Sequence, residues 1–156
     1  MRRASPAELR SAVVCLINRF RGRGGLPGLR EQEQLDAAAQ GHTDQMVLER
    51  FFGHGSPGGS SPAVRITASG FSWGAYGETL STGFRTPRRA VTSWLRSNEH
   101  CRILLSPQYR DIGIGVNPRP VAGWATGAGT WTADLALPLG SAAPSRRWGL
   151  AAGCPY

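Results

Sequence analysis

Apolar residues recur at helical spacing near the start of the chain: Leu9, Val13, Leu16, Ile17 and Phe20 form one stripe. Ser5-Pro6-Ala7-Glu8 precedes it, with a hydroxyl to cap the first backbone donors, a proline suited to the first helical position, and Glu8 placed for a capping box. Gly22, Gly24 and Gly25 end this helix, and Gly25-Leu26-Pro27-Gly28-Leu29 is a tight connection with two apolar anchors. A second helix is predicted from about Gln32 to Glu49, with Leu35, Ala38, Ala39, His42, Met46 and Val47 on one face. Phe51 and Phe52 close it against the core, and the Gly/Ser/Pro run 55–60 is a loop.

Ser61-Pro62 starts a short helix with Val64 and Ile66 as its apolar positions, and Thr86-Pro87 starts another in which Val91, Trp94 and Leu95 face inward. Between them, Trp73, Tyr76 and Leu80 flank a short strand or extended segment. Asp111-Ile112-Gly113-Ile114-Gly115-Val116 alternates with period two and reads as a strand; residues 129–136 read as a second. Helices come first and strands late, which is the order of an α+β domain: a small antiparallel sheet that needs helical cover. No repeat or internal boundary interrupts residues 5–140, so they form a single domain, and residues 141–156 read as a C-terminal tail.

Composition narrows the function classes. At 156 residues the chain can bury a real core without staples, and its 40% apolar content argues against disorder. No apolar run reaches the roughly 20 residues needed to cross a bilayer. Net charge is +8, every basic residue is arginine, and residues 1–30 carry seven Arg against one Glu. Such a terminus suits acidic partners: phosphate, anionic lipid or a polyanionic cell-envelope polymer. Nucleic acid is disfavoured, because these arginines form no dense block and no aromatics are interleaved with them. Cys15, Cys101 and Cys154 lack the close spacing of a structural zinc site. Met1-Arg2-Arg3 leads into a polar helix start with no apolar signal-peptide core, which leaves a processed exported form and a cytoplasmic protein both open.

The candidate chemistry lies in His54, Glu78 and His100. Two imidazoles and a carboxylate are the raw material of a divalent-metal site or an acid–base site. Glu78 is the most telling of them, because a carboxylate amid Trp73, Tyr76 and Leu80 is costly to bury unless a cation or hydrogen bonds satisfy it. Spacing alone does not bring the three together. His42 shares a face with Leu35, Ala38 and Met46 and reads as a satisfied interior histidine. Ser56 and Ser97 lack the surroundings of a nucleophilic serine, and no Walker, dinucleotide or His-Glu-x-x-His motif is present.

An ordered set of segments from about residue 8 to 138 resembles the CAP superfamily of cysteine-rich secretory, antigen 5 and pathogenesis-related proteins. Cys15-Leu16-Ile17-Asn18-Arg19 with Gly25-Leu26-Pro27-Gly28-Leu29 is similar to its first helix, and Leu35 to Met46 to its second. Phe51-Phe52-Gly53-His54 is similar to the family's Phe-Phe-Ser-His, and Gly77-Glu78-Thr79 to its Gly-Glu-Asn. The segment from Ala90 through Trp94 and Ser97 to His100 is similar to Ala-Val-x-x-Trp-x-x-Ser-x-x-His; Tyr109 to Gly115 and Trp131-Thr132 are similar to the late strands.

The resemblance, to the bacterial branch in particular, implies an α-β-α sandwich with a central antiparallel sheet and a cleft. Many members line that cleft with two histidines and two glutamates, and some bind zinc or another divalent ion through the histidines. Carried over, the metal ligands are His54 and His100, and the cleft comprises His54, Glu78, Ser97, Glu99 and His100. Ser97 stands where other branches have a second glutamate, and Glu99 is the carboxylate nearest to replacing it. The resemblance also implies a Cys15–Cys101 disulfide, and with it an extracellular or cell-envelope location. The expected function is non-enzymatic binding of a lipid, a cell-wall component or a partner protein. The alternatives are a metal-dependent hydrolase, with a weakly held cation, and a structural or cytoplasmic interaction domain.

Overall fold

Four strands in the order β1-β3-β4-β2 form the middle layer of the molecule: β1 (Arg30–Glu31), β2 (Trp73–Thr82), β3 (Asp111–Asn117) and β4 (Thr130–Pro138). The structure is a computed structural model and describes residues 3–142 and Cys154. The three long strands are antiparallel, and the two-residue β1 joins β3 in parallel. The sequence does not announce that edge, because two charged residues carry no strand signal. The long strand β2 forms the opposite edge.

Among the described residues five helices cover the sheet: α1 (Pro6–Arg23), α2 (Glu33–Glu49), α3 (Pro62–Ala68), α4 (Pro87–Leu95) and α5 (Asn98–Leu104). The expected capping box of α1 is present, with Ser5 Oγ accepting from the Glu8 amide and Glu8 accepting from the Ser5 amide. The inward face of α1 is rotated from the expected stripe. Val13, Val14, Ile17 and Arg21 are buried, while Leu9, Leu16 and Phe20 pack at the margin. Arg21 tolerates complete burial because it donates to the carbonyls of Pro27, Leu104 and Ser106. Burial and the charge of Arg110 lower its pKa to about 10.

The two faces of β3 meet different layers. Ile112, Ile114 and Val116 enter the main core with α1, α4 and α5. Gly113 and Gly115 face α2, where a Cβ would run into the backbone of Leu35, Asp36 and Ala39. The alternation of apolar residue and glycine is therefore a packing code: side chains fill one layer, and their absence lets a helix approach in the other. Leu35, Ala38, Ala39, His42 and Met46 are buried, as the helical pattern predicts. Val64 is an exception to the expected burial of α3 and is exposed; Ile66 alone is buried in that helix.

The expected Cys15–Cys101 bridge is incorrect. Cys15 lies on the exposed side of α1 and is free, whereas Cys101 is fully buried and bonded to Cys154, with 6.1 Å between Cα atoms. The register of α1 explains the difference, since Val13, Val14 and Ile17 take its inward positions and turn Cys15 outward. The tail expected over residues 141–156 is thus tied to the core at Cys154; residues 143–153 and 155–156 lie outside the described residues.

Candidate functional site

Antiparallel pairing puts directly opposed residues on the same face of a sheet. Gly113, Asp134 and Glu78 are successive partners across β3, β4 and β2, so both carboxyls lie on the face that Gly113 turns toward α2. Glu78 stands on edge strand β2, almost fully buried. The helix α2 ends at Arg50 in a left-handed conformation (φ 59°), and the chain then carries Phe51 and Phe52 past the sheet edge to His54. His54 Nδ1 lies 2.8 Å from Glu78 Oε1, so the ring donates there and leaves Nε2 available.

The second partner of Glu78 comes from α3. One Arg65 Nη lies 2.9 Å from Glu78 Oε2, 3.2 Å from Oε1 and 2.9 Å from the His54 carbonyl oxygen. This guanidinium is the cation that a buried Glu78 requires, and sequence reasoning misses it. Its only signal is an arginine between Val64 and Ile66, in a short helix whose apolar positions alone carry a pattern. His42 completes the floor. Its Nε2 donates to the Gly53 carbonyl at 2.8 Å and lies 4.0 Å from Glu78 Oε1, so the expected interior histidine also steadies the turn that carries His54.

Asp134 is the other missed member. It is fully buried, and among the described residues neither of its oxygens receives a hydrogen bond from another group. A charged carboxylate so placed would be orphaned; a protonated one donates to Glu78. Burial, with the adjacent Glu78 charge, accordingly pushes its pKa well above the usual carboxylate range. Burial also pushes Glu78 upward, but hydrogen bonds from His54 and Asp134 and the charge of Arg65 outweigh it and hold that carboxyl low. The Glu78 hydrogen bond raises the His54 pKa against the opposing effect of burial. Burial lowers that of His42, with Glu78 opposing.

His100 lies within α5 itself. It is half-buried, and burial lowers its pKa; Glu99 raises it and His54 lowers it further. The structure therefore brings His54 and Glu78 into direct contact and puts His100 within electrostatic reach of His54. Ser97 precedes α5 without capping it through its side chain, and Glu99 is exposed on the first turn. His100 and Ser97 line a cavity of about 380 Å³ whose walls include Phe52, Leu80, Trp94 and Trp124. Phe52 and Trp124 are in ring contact at 5.7 Å, and Trp124 is 60% exposed. Ser81 Oγ and Trp94 Nε1, from two residues of this wall, lack hydrogen-bond partners among the described residues.

For a divalent cation, the donors left are His54 Nε2 and the His100 ring. Among the described residues no group of three or more His, Cys, Asp or Glu is arranged to hold a metal ion. Both Glu78 oxygens are already engaged, one by a fixed positive charge. This donor set does not fit a tightly held ion.

The model of the cysteine-rich secretory protein family matches residues 14–132. YkwD of Bacillus subtilis (strain 168) is 31% identical over 112 residues, covering 72% of this chain and 44% of its own length. The membrane protein YlbC of the same organism is 28% identical over 105 residues, covering 67% of this chain and 30% of its own length. The chain thus spans less than half the length of these relatives. Among solved structures, an extracellular SCP-domain protein of Bacillus anthracis has a TM-score of 0.72 at 22% identity, covering 87% of this chain and 45% of that one. An outer surface protein of Borrelia burgdorferi has a TM-score of 0.72 at 20% identity, covering 82% of this chain and 91% of that one. The expected α+β sandwich is the fold these proteins share, and the chain belongs to the cysteine-rich secretory protein (CAP) family.

Proposed function

We propose that this CAP domain is an extracellular or envelope-associated binding module. Its cleft takes up an amphiphilic envelope component, such as a lipid, without turning it over. The observation that carries this reading is the double engagement of Glu78, by His54 at one oxygen and Arg65 at the other. A general base needs a free lone pair and a pKa near the working pH. Glu78 has neither, because its partners hold it as a charged structural anion. The adjoining aromatic cavity offers apolar area, with His100 and Ser97 at its polar side. The envelope location rests on the extracellular and outer-surface relatives, together with a disulfide that oxidising compartments favour.

A metal-dependent hydrolase would need a cation that activates water and a group that stabilises an oxyanion. The two imidazole nitrogens supply neither a closed ligand set nor a free carboxylate, which counts against that alternative.

Tryptophan fluorescence tests the binding reading, since Trp94 and Trp124 both line the cavity. Titration with a panel of lysophospholipids and fatty acids is expected to give saturable quenching that weakens at least about tenfold in Trp124→Ala, a loss in the range of interface aromatic anchors. No saturable change across the panel, or hydrolysis of a panel member that His54→Ala abolishes, would overturn it.

A further inference from the structure

One end of the sheet gathers two connections and the start of the chain. β2 ends at Thr82 and β3 at Asn117, and both residues pair with Thr130, where β4 begins. The turn 83–86 and the loop 118–129 therefore lie side by side. The Gly83 amide donates to the Gly129 carbonyl at 2.7 Å, and the Val121 amide donates to Thr82 Oγ1 at 2.9 Å. The segment before α1 joins them, since Arg3 and Pro6 line a hollow with Arg85, Pro118 and Ala128.

Two kinds of side chain are exposed here. The first is arginine: Arg3, Arg85 and Arg119, with Arg88 and Arg89 from the first turn of α4. Acidic groups approach from α2, on the other face of the sheet; Asp44 accepts from Gln40 and Asn117, and Glu49 from Gln45. Among the described residues, these five arginines outnumber the two carboxylates, and this end carries positive charge. The second is Trp124, 60% exposed at the rim of the aromatic cavity and in ring contact with Phe52. Pro118 and Ala122, on the same loop, are exposed as well.

Folding accounts for neither feature. Arginines in the first turn of a helix oppose its dipole, and an outward indole forfeits the burial of a large apolar ring. An indole, apolar in body with one polar N–H, suits the boundary between water and lipid. Guanidinium groups around it suit anionic headgroups. A dissolved anion would engage the arginines and leave Trp124 in water; a bilayer engages both.

We infer that this end of the molecule docks on an anionic lipid bilayer. Trp124 enters the interfacial layer, the arginines meet headgroups around it, and the rim of the aromatic cavity faces the membrane. That orientation gives the cavity's amphiphile a source, and in this respect alone the inference rests on the proposed function.

Flotation with vesicles of phosphatidylcholine containing phosphatidylglycerol, and with vesicles of phosphatidylcholine alone, tests the docking. The protein should bind the anionic vesicles far more strongly, and less as salt rises. Arg88→Gln/Arg89→Gln and Arg85→Gln/Arg119→Gln should each weaken partitioning at least about tenfold. Trp124→Ala should weaken it to a similar degree. Arg30→Gln/Arg110→Gln removes the same charge beside Asp111, about 20 Å away at the other end of β3, and should partition as the wild type does. The inference fails if anionic vesicles are not bound, or if the Arg30/Arg110 variant loses as much as the others. It fails equally if Trp124→Ala partitions like the wild type, because the contact would then be one that any polyanion could make. Uptake of monomeric lysophosphatidylcholine is measured without vesicles, so a protein that docks but takes up nothing contradicts the proposed function and leaves the docking standing.

Discussion

Glu78 and Asp134 stand opposite each other in the β2–β4 ladder, with the pKa of one carboxyl held low by its partners and that of the other pushed up by burial. Their environments separate them: Glu78 meets Arg65 and His54, whereas no external donor among the described residues reaches Asp134. Asp134→Asn supplies an amide donor to Glu78 without needing a proton. Because burial raises the folded pKa of Asp134, the wild type loses stability as pH rises above the usual carboxylate value, and the variant does not. Denaturant unfolding should show Asp134→Asn gaining on the wild type as pH increases; parallel pH profiles would refute the shared proton.

His54 follows the opposite partner logic. Its folded pKa is raised by the Glu78 hydrogen bond, so the pair's contribution is full below the unfolded value of about 6.5 and fades as pH rises through the folded one. In Glu78→Gln, NMR titration should find the His54 pKa lower than in the wild type. An unchanged value would mean that the two groups do not pair in solution.

Removing Arg65 should change what the cleft can hold. In the wild type, zinc calorimetry is expected to show at most weak binding by His54 and His100. Arg65→Gln frees Glu78 Oε2 and removes a repelling charge, so zinc affinity should rise at least about tenfold, a change of roughly 1.4 kcal/mol. Equal affinities would show that Arg65 does not compete with a cation.

Gly115→Ala tests the packing of α2 on the sheet. A Cβ there meets the Ala39 carbonyl and Thr43 Oγ1, the latter already bonded to Thr132 Oγ1 at 2.7 Å. Overpacking against backbone should cost about 3 kcal/mol or more in thermal or denaturant unfolding. A loss within experimental error would contradict the close approach.

This contact shows what is legible in the sequence and what is not. Period two marks β3 as a strand, and helical spacing marks α2. Neither pattern says that the glycines of one admit the backbone of the other, because that depends on a face-to-face pairing distant in sequence. His54, Glu78 and His100 are recognisable as residue types in family-like segments. Arg65 and Asp134 escape notice because their roles arise from what they meet: α3 brings a guanidinium across to β2, and β4 sets an acid opposite Glu78. The Cys15–Cys101 pairing fails for a related reason, since a small rotation of α1 decides which residues face inward.

The disulfide gives a direct check of that correction. Native protein, unreduced, should expose one reactive thiol, Cys15. Cys154→Ser opens a link across a sequence separation of 53 and should cost about 4 kcal/mol on the chain-entropy estimate. Three reactive thiols in the native protein would contradict the bridge.

The claim that this cleft binds rather than hydrolyses depends on Glu78 being a fixed anion. Carbon-13 NMR of selectively labelled Glu and Asp carboxyls, followed through the neutral pH range, tests it most directly. The account predicts that Glu78 remains charged throughout while Asp134 remains protonated at neutral pH. A Glu78 signal that titrates near neutrality, as a working acid or base would, contradicts it.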